Sequence, residues 1–482
     1  RERNHNLEPD PFAGDPQQLG TGTRQALTAL QAAPEADLVL LRVDAAAPYM
    51  VEGIARAING ELYRSLNLDH RVEEIEAERV VLQQRQEELL KERRQALQDF
   101  GLEEEAAKRR ETYRQHQAEF DRNLKAHQQR VDRYLTHLQD MRDLKKVRVV
   151  TMGLVWESGY PVDGTSALSR YFDDRPFRAA LWFQAAGDTR GQAWSGPFRD
   201  DNGNGVLQFA PASVELPEGA WTRDLNFLGW RPAEGAAALE LPANTRLRVT
   251  LQWREAHEAE FSQPGDDAYR EPLASFRLLL LQQLDPSGKT RPADDLAVVA
   301  ESAGRPQRLE QTATWATYEQ TLEIRVAQPG RYALRVEGRL PESTRPRGIP
   351  TLPALRRVGE VRPRLFLETL EGAGRVVFDT FPTGAGTIGM PGDARRVITI
   401  GAADARGKPR DYSAMGPAHN LQLLVKPELL AADEAGGSGQ AAAFTAGVAA
   451  AMRSRNPSLD KWLESLPVRR GGVLQLPAGW AR

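Results

Sequence analysis

Three stretches carry residue types at spacings that chemistry uses. The first is GGSGQAAAFTAGVAAAM, Gly436 to Met452, a glycine turn feeding a helix of small residues with Ser438 and Gly439 at its start. A serine there could act as a nucleophile only with an imidazole to take its proton. Of seven histidines, His5 lies in a polar N-terminal stretch, His70, His116, His127 and His137 in a charged helical stretch, and His257 among short strands. His419 alone shares the C-terminal segment with Ser438, so a Ser438/His419 hydrolase is one reading and a buried small-residue helix without a site is the other. The second stretch, RDDNGNGVLQF, sets Asp200, Asn202, Asn204 and Gly205 in a D-x-N-x-N-G pattern, the opening of a calcium loop. Its twelfth position, where a bidentate Glu is needed, is Pro211, so a turn closed by Asx hydrogen bonds competes with calcium. The third set, Trp253, Trp315 and Tyr332, could form a carbohydrate platform, but Trp253 and Tyr332 fall on apolar faces of alternating strands and read better as core.

Elements must position these residues, and 482 of them leave room for two or three domains. A net charge of -3 offers no electrostatic reason to expect a nucleic acid or an anionic membrane as partner. Zero cysteines exclude disulfides, thiol catalysis and thiolate zinc sites, and fit an exported protein. The sequence has no run of 18 apolar residues, so no membrane span is expected. It starts at Arg1 without a signal-peptide pattern and reads as a mature or trimmed product.

Residues 1–19 read as an irregular arm. From Gly20, GTGTRQALTAL predicts a turn and helix, PEADLVLLRVD a buried strand at Leu38 to Val43, and APYMVEGIARAING an amphipathic helix. The α/β grammar resumes with strands in KVRVVTMGLVW and RAALWFQAAGDTRG, a helix in GTSALSRYFDD, and VITIGA with the small-residue helix at the C-terminal end. Over residues 192–379 the pattern changes to short alternating strands. RLRVTLQWREA puts Leu247, Val249, Leu251 and Trp253 on one face and Arg248, Thr250, Gln252 and Arg254 on the other, predicting an antiparallel β-sandwich with polar outer faces.

Residues 66–146 are charged and glutamine-rich. Leu68, Ile75, Leu82, Leu89 and Ala96 repeat every seven residues, Gly101 breaks the run, and Tyr113, Phe120, His127, Tyr134 and Met141 form a second series. Two helices of roughly 35 residues, each about 50 Å long, would fold back as an antiparallel coiled-coil hairpin. Arg79, Gln86 and Arg93 thin its seam, which favours an arm that docks a protein partner over a solvated extension. The fold class is therefore an α/β body in segments 20–65, 147–191 and 380–482, interrupted by the hairpin and the sandwich.

Taken in order, the α/β fragments resemble the subtilisin-like serine proteases. RRVITIGAADARGKPRDYSAMGP and VKPELLAA resemble the family's VIxVGAxDxxGxxxxxSxxGP and KPDxxAPG, and GSGQAAAFTAGVAAAM resembles GTSxAxPxxAGxxAL. GTGT at Gly20 to Thr23 resembles GHGT, PEADLVLLRV resembles APxAxLxxxRV, and AAGD at Ala185 to Asp188 resembles AAGN. Together these cover about 200 of the 482 residues, and neither insertion belongs to the minimal family fold. The resemblance implies a subtilisin-like parallel sheet flanked by helices. It puts the nucleophile at Gly439, the base at Thr21 and the oxyanion donor at Asp188, none of which can fill its role. Ser438 sits one residue early, and its side chain is expected to point away from the cleft.

The family's orienting Asp lies on a central strand well before the histidine turn, and residues 1–19 carry no strand pattern. A parallel sheet lacking a middle strand exposes unpaired backbone, so complementation by strands from another polypeptide is the favoured expectation, with an imperfect filling of the gap by the arm or a rewired sheet as the alternatives. The leading functional expectation is a non-catalytic, extracytoplasmic scaffold or assembly subunit without a cofactor, calcium at Asp200 aside. The alternatives are a serine endopeptidase with atypical or partner-supplied residues, and an extracellular glycan- or peptide-binding module.

Overall fold

The computed structural model describes residues 20–45, 47–61, 77–89, 91–92, 103–174, 180–217, 222–232, 237–256, 272–285, 295–311, 315–340, 361–371, 374–416, 418, 425–433 and 436–455. The arm at 1–19, the break at Gly101, and His70, His257 and His419 lie outside the described residues. In chain order the elements are helices α1 (Thr21–Ala32), α2 (Tyr49–Ile58) and α3 (Glu103–Leu144), strand β1 (Val149–Met152), helix α4 (Ala167–Asp174), and strands β2 (Leu181–Ala185) and β3 (Ala193–Ser195). Strands β4 (Asn226–Pro232), β5 (Arg246–Ala256), β6 (Ser275–Gln283), β7 (Leu296–Glu301), β8 (Gln307–Gln311), β9 (Trp315–Arg325) and β10 (Tyr332–Arg339) follow. The chain continues with β11 (Arg364–Glu371), β12 (Gly374–Phe378), β13 (Ile398–Ala403), β14 (Leu429–Ala432) and helix α5 (Gly437–Arg455). They fall in two compact units, Arg1–Leu40 with Val149–Pro176 and Leu181–Arg482, and Leu41–Arg148 with Phe177–Ala180.

The first unit is mixed α/β. A parallel sheet of order β1-β2-β13-β14 runs in register from Val149 opposite Leu181 to Ile400 opposite Leu429. Parallel strands are covered on both faces, which is why β2 and β13 are buried along their whole length. Phe183, Ile398, Ile400 and Leu429 form a core with Ala441, Ala442, Ala446 and Ala449 of α5. The small residues of α5 also let α1 approach: a Cβ on Gly447 would lie 2.3 Å from the carbonyl oxygen of Ala29.

One expected strand is absent. Residues 38–43 pair with no strand among the described residues, and Leu38, Val39, Leu40 and Leu41 are 39–55 % exposed. An apolar run becomes a strand only when a neighbour takes its backbone groups, and among the described residues β1 is the edge of the sheet, with Val149 to Thr151 partly buried.

The antiparallel part of this unit consists of two five-stranded sheets, β12-β4-β10-β6-β7 and β3-β11-β5-β9-β8. Leu247, Val249, Leu251 and Trp253 of β5 are buried with Leu278, Leu280, Leu334 and Val336, as alternation requires. Trp253 stacks on Tyr318 and meets Phe276 edge-on, and Tyr332 is buried in the same cluster, so neither Trp253 nor Tyr332 offers a sugar platform.

The opposite face of β5 departs from the expectation of a polar, solvated surface. At one end Arg246 and Arg248 do reach water, in a ladder of ion pairs with Glu323, Glu368 and Glu371. Thr250 and Gln252, however, are buried. Gln252 donates to the carbonyl of Tyr160 at 3.0 Å and to Glu319 at 2.7 Å, because the segment after β1 lies over this end of the sheet. The same segment is anchored by Arg364, which donates to the carbonyl of Val162 at 2.6 Å, and by Asp163 facing Arg254 at 3.5 Å. Asp393 receives Gly164 N–H and Ser169 Oγ, and burial still pushes its carboxyl up to about 7.

In the second unit α2 buries Val51, Ala55, Ala57 and Ile58. Helical residues 77–89 pair with α3 as an antiparallel hairpin: Glu78 meets His127 at 2.8 Å and Glu92 meets His116 at 2.9 Å, so position rises on one helix as it falls on the other. Leu89, Phe120 and His127, three of the seven-residue positions, are buried.

Candidate functional site

The glycine turn before α5 meets the end of β2. Asp433 follows β14, and Gly437 adopts φ +83°, a left-handed conformation that lets the chain reverse into the helix. Gly187 at φ +105° makes the matching turn after β2 and presents Asp188 to the helix start. Space is tight there, since a Cβ on Gly437 would lie 2.3 Å from Asp188 Oδ2.

The first N–H groups of a helix have no internal partner, and here two carboxylates take them. Asp188 Oδ1 accepts from Ser438 N–H at 2.9 Å, and Asp433 Oδ2 accepts from Gly437 N–H at 3.2 Å. Asp433 is itself held by Arg410 Nε at 3.0 Å and by the Tyr412 hydroxyl. Ser438 is 1 % exposed, and its Oγ accepts the Gly187 N–H at 3.1 Å, so the hydroxyl is turned into the β2 loop. Ser438 and Asp188 thus tie the loop to the helix.

At Gly439 a built Cβ would lie 2.4 Å from Gln25 Nε2 and 3.5 Å from Gly153 Cα. A Cβ on Gly153 would lie 2.0 Å from the same Nε2. The carboxamide of Gln25, one turn into α1, therefore fills the space in which a side chain at 439 would stand. Thr21 opens α1 and is exposed. Among the described residues the first unit contains no histidine; His116 and His127 belong to the hairpin, each against a glutamate.

The electrostatics oppose the stabilisation of an oxyanion. Burial raises the Asp188 carboxyl above its ordinary range against the opposing hydrogen bonds from Ser438. Glu157 lies beside it, with Oε1 accepting from Thr189 Oγ1, and desolvation pushes its carboxyl up to about 7. Burial likewise raises the Tyr412 phenol. A reaction that develops negative charge beside Asp188 would face the carboxyl groups of Asp188 and Glu157 where a hydrolase places donors.

The Asp200 loop is closed by its own side chains. Asp200 accepts Asn204 N–H and Gly205 N–H, both at 2.9 Å; Asn202 Oδ1 accepts Asn204 N–H at 3.4 Å; and Asn204 Oδ1 accepts Val206 N–H at 2.9 Å. Asn204 Nδ2 donates to Asp224 at 2.7 Å. Among the described residues no three acidic or imidazole side chains gather as a metal would need.

Sequence reasoning missed Gln25, Gly153, Glu157 and Asp433. A glutamine on a helix has no signature of its own; the available signal was the pair of glycines, Gly153 and Gly439, that make room for it. No protein-family model matches the chain, and no curated protein matches it in sequence.

Proposed function

We propose that the chain is a non-catalytic, subtilase-like protein that serves outside the cytoplasm as a scaffold or subunit of a protein assembly. The observation that carries this reading is the Gln25 carboxamide packed over Gly439. The position that the motif resemblance assigns to a nucleophile has no side chain, and the Gln25 carboxamide occupies the space one would take. The parallel order β1-β2-β13-β14, followed by a small-residue helix against which α1 packs, supports the subtilase-like part of the reading. The extracytoplasmic location rests on the same resemblance and on the absence of cysteine.

The assembly role draws on two features. Among the described residues no strand pairs with the outer edge of β1, and that edge and the exposed run Leu38 to Leu40 suit strands contributed by another polypeptide. The hairpin leaves Val80 and Val81 exposed among charged residues, as a docking arm would. No described helix is long and apolar enough to cross a membrane.

The test is crosslinking mass spectrometry on the protein purified from its source, with and without residues 69–144. The scaffold reading expects crosslinks from the hairpin to a stoichiometric partner, and loss of that partner on deletion. A partner set unchanged by the deletion would remove the arm from the account.

A further inference from the structure

The chain contains three Asn–Gly pairs, Asn59–Gly60, Asn202–Gly203 and Asn204–Gly205. Such a pair can modify itself. With no Cβ on the following residue, the next backbone nitrogen can close on the carbonyl carbon of the asparagine side chain, provided that this nitrogen gives up its proton and the carboxamide is free to turn. The three pairs differ in how firmly those two groups are held.

Asn204 is held at both ends of its side chain. Its Oδ1 accepts Val206 N–H at 2.9 Å, and its Nδ2 donates to Asp224 at 2.7 Å. The nitrogen that would attack it, Gly205 N, donates to Asp200 Oδ2 at 2.9 Å, so a carboxylate opposes the negative charge that loss of the proton would create. Asn59 ends α2 with helical backbone angles, φ -72° and ψ -5°. Gly60 after it is buried, and its N–H donates to the Ala57 carbonyl at 2.9 Å.

Asn202 differs on each count. Asn202 and Gly203 are both exposed. The Asn202 Oδ1 accepts Asn204 N–H only at a long 3.4 Å, and among the described residues its Nδ2 has no partner. Gly203 N donates at 3.3 Å to the neutral main-chain carbonyl of Asp200, where Gly205 N meets that residue's carboxylate. Two neighbouring copies of one dipeptide, in one loop, therefore stand in opposite states of restraint.

We propose that Asn202 is a site of spontaneous deamidation in the folded protein, and that Asn204 and Asn59 are protected from it. The Gly203 nitrogen bonds to Asn202 Cγ, the Cγ–Nδ2 bond breaks, and the proton from Gly203 N–H departs with Nδ2 as ammonia, leaving a cyclic imide. Water adds to either ring carbonyl and opens the imide to an aspartyl or an isoaspartyl residue. Either product places a new carboxylate in a loop that already carries Asp200 and Asp201. The isoaspartyl form also lengthens the main chain by a methylene inside the turn that Asp200 closes. The proposal stands apart from the scaffold reading, since it involves neither α5 nor the hairpin.

The experiment is peptide mapping by mass spectrometry of the full chain after incubation in mildly alkaline buffer made with heavy-oxygen water, in the native state and in urea. Fragment spectra separate position 202 from position 204. In the folded protein Asn202 is expected to convert at least about tenfold faster than Asn204, which must first break two hydrogen bonds, one of them to a carboxylate. Asn59 should lag behind Asn202 as well. In urea, where these restraints are gone, Asn202 and Asn204 should convert at similar rates, and the products at both should carry heavy oxygen. Equal rates at Asn202 and Asn204 in the folded protein, or a faster rate at Asn204, would overturn the proposal. So would an unchanged Asn202 in native protein over a period in which the chain in urea converts.

Discussion

Gly439→Ala tests whether the Gln25 carboxamide occupies the space over Gly439. The added carbon would sit 2.4 Å from Gln25 Nε2, about 1 Å inside ordinary contact, and 3.5 Å from Gly153 Cα. Gln25 is half-buried and flexible, so it must swing away, at a cost near the low end of overpacking, about 1–2 kcal/mol. Replacing glycine by alanine within a helix returns up to about 1 kcal/mol through backbone entropy. The single variant can therefore look nearly neutral, and its stability alone decides nothing. The informative quantity is the coupling with Gln25→Ala, in which the entropy gain cancels and the steric conflict does not. Urea denaturation of the four proteins, followed by circular dichroism, should give Gly439→Ala about 1–2 kcal/mol more destabilising with Gln25 present than in the Gln25→Ala background. Additivity within about 0.5 kcal/mol would refute the placement of the carboxamide.

Three further outcomes follow from the same geometry. Gly447→Ala meets backbone rather than a flexible tip, 2.3 Å from the Ala29 oxygen, so it should cost about 3 kcal/mol in urea denaturation and gain nothing from Gln25→Ala. Glu157 has its carboxyl raised from 4.5 to about 7, so the folded state binds the proton more tightly and its contribution to stability is lost as pH rises from about 4.5 through 7. Glu157→Gln should accordingly be more stable than wild type at pH 8, by on the order of 2 kcal/mol, with the difference shrinking by pH 5; an equal gain at both pH values would contradict the sign. Asp200→Ala removes acceptors for two backbone N–H groups and should cost about 1–2 kcal/mol whether or not EDTA is present. An EDTA-sensitive melting temperature in the wild type, lost in Asp200→Ala, would instead assign the loop to calcium.

Much of the architecture is legible in the sequence where a period repeats. The two-residue alternation of RLRVTLQWREA places Leu247 to Trp253 in the core, and the seven-residue series places Leu89, Phe120 and His127 in the hairpin seam. Apolar density alone misleads at Leu38 to Val43, because a strand exists only through a partner that the run itself cannot specify. Thr250 and Gln252 read as solvated because nothing local reveals that the segment after β1 will cover them. At the candidate site the motif resemblance picks out Ser438, Gly439 and Asp188 but not what they do. That Asp188 caps α5, and that Gln25 fills the space over Gly439, depends on contacts across hundreds of residues of chain. Gly153 and Gly439 gain their meaning only when α1 lies between them.

Among the described residues of the first unit no imidazole is present to take a proton from Ser438, whose hydroxyl is buried against Gly187. Incubation with a fluorophosphonate probe followed by mass spectrometry of the intact protein and its peptides measures whether Ser438 reacts. No adduct is expected under native conditions, with Ser438 unmodified because its hydroxyl is buried against Gly187. A stoichiometric phosphonyl adduct on Ser438, formed by folded protein and absent after denaturation, would contradict it.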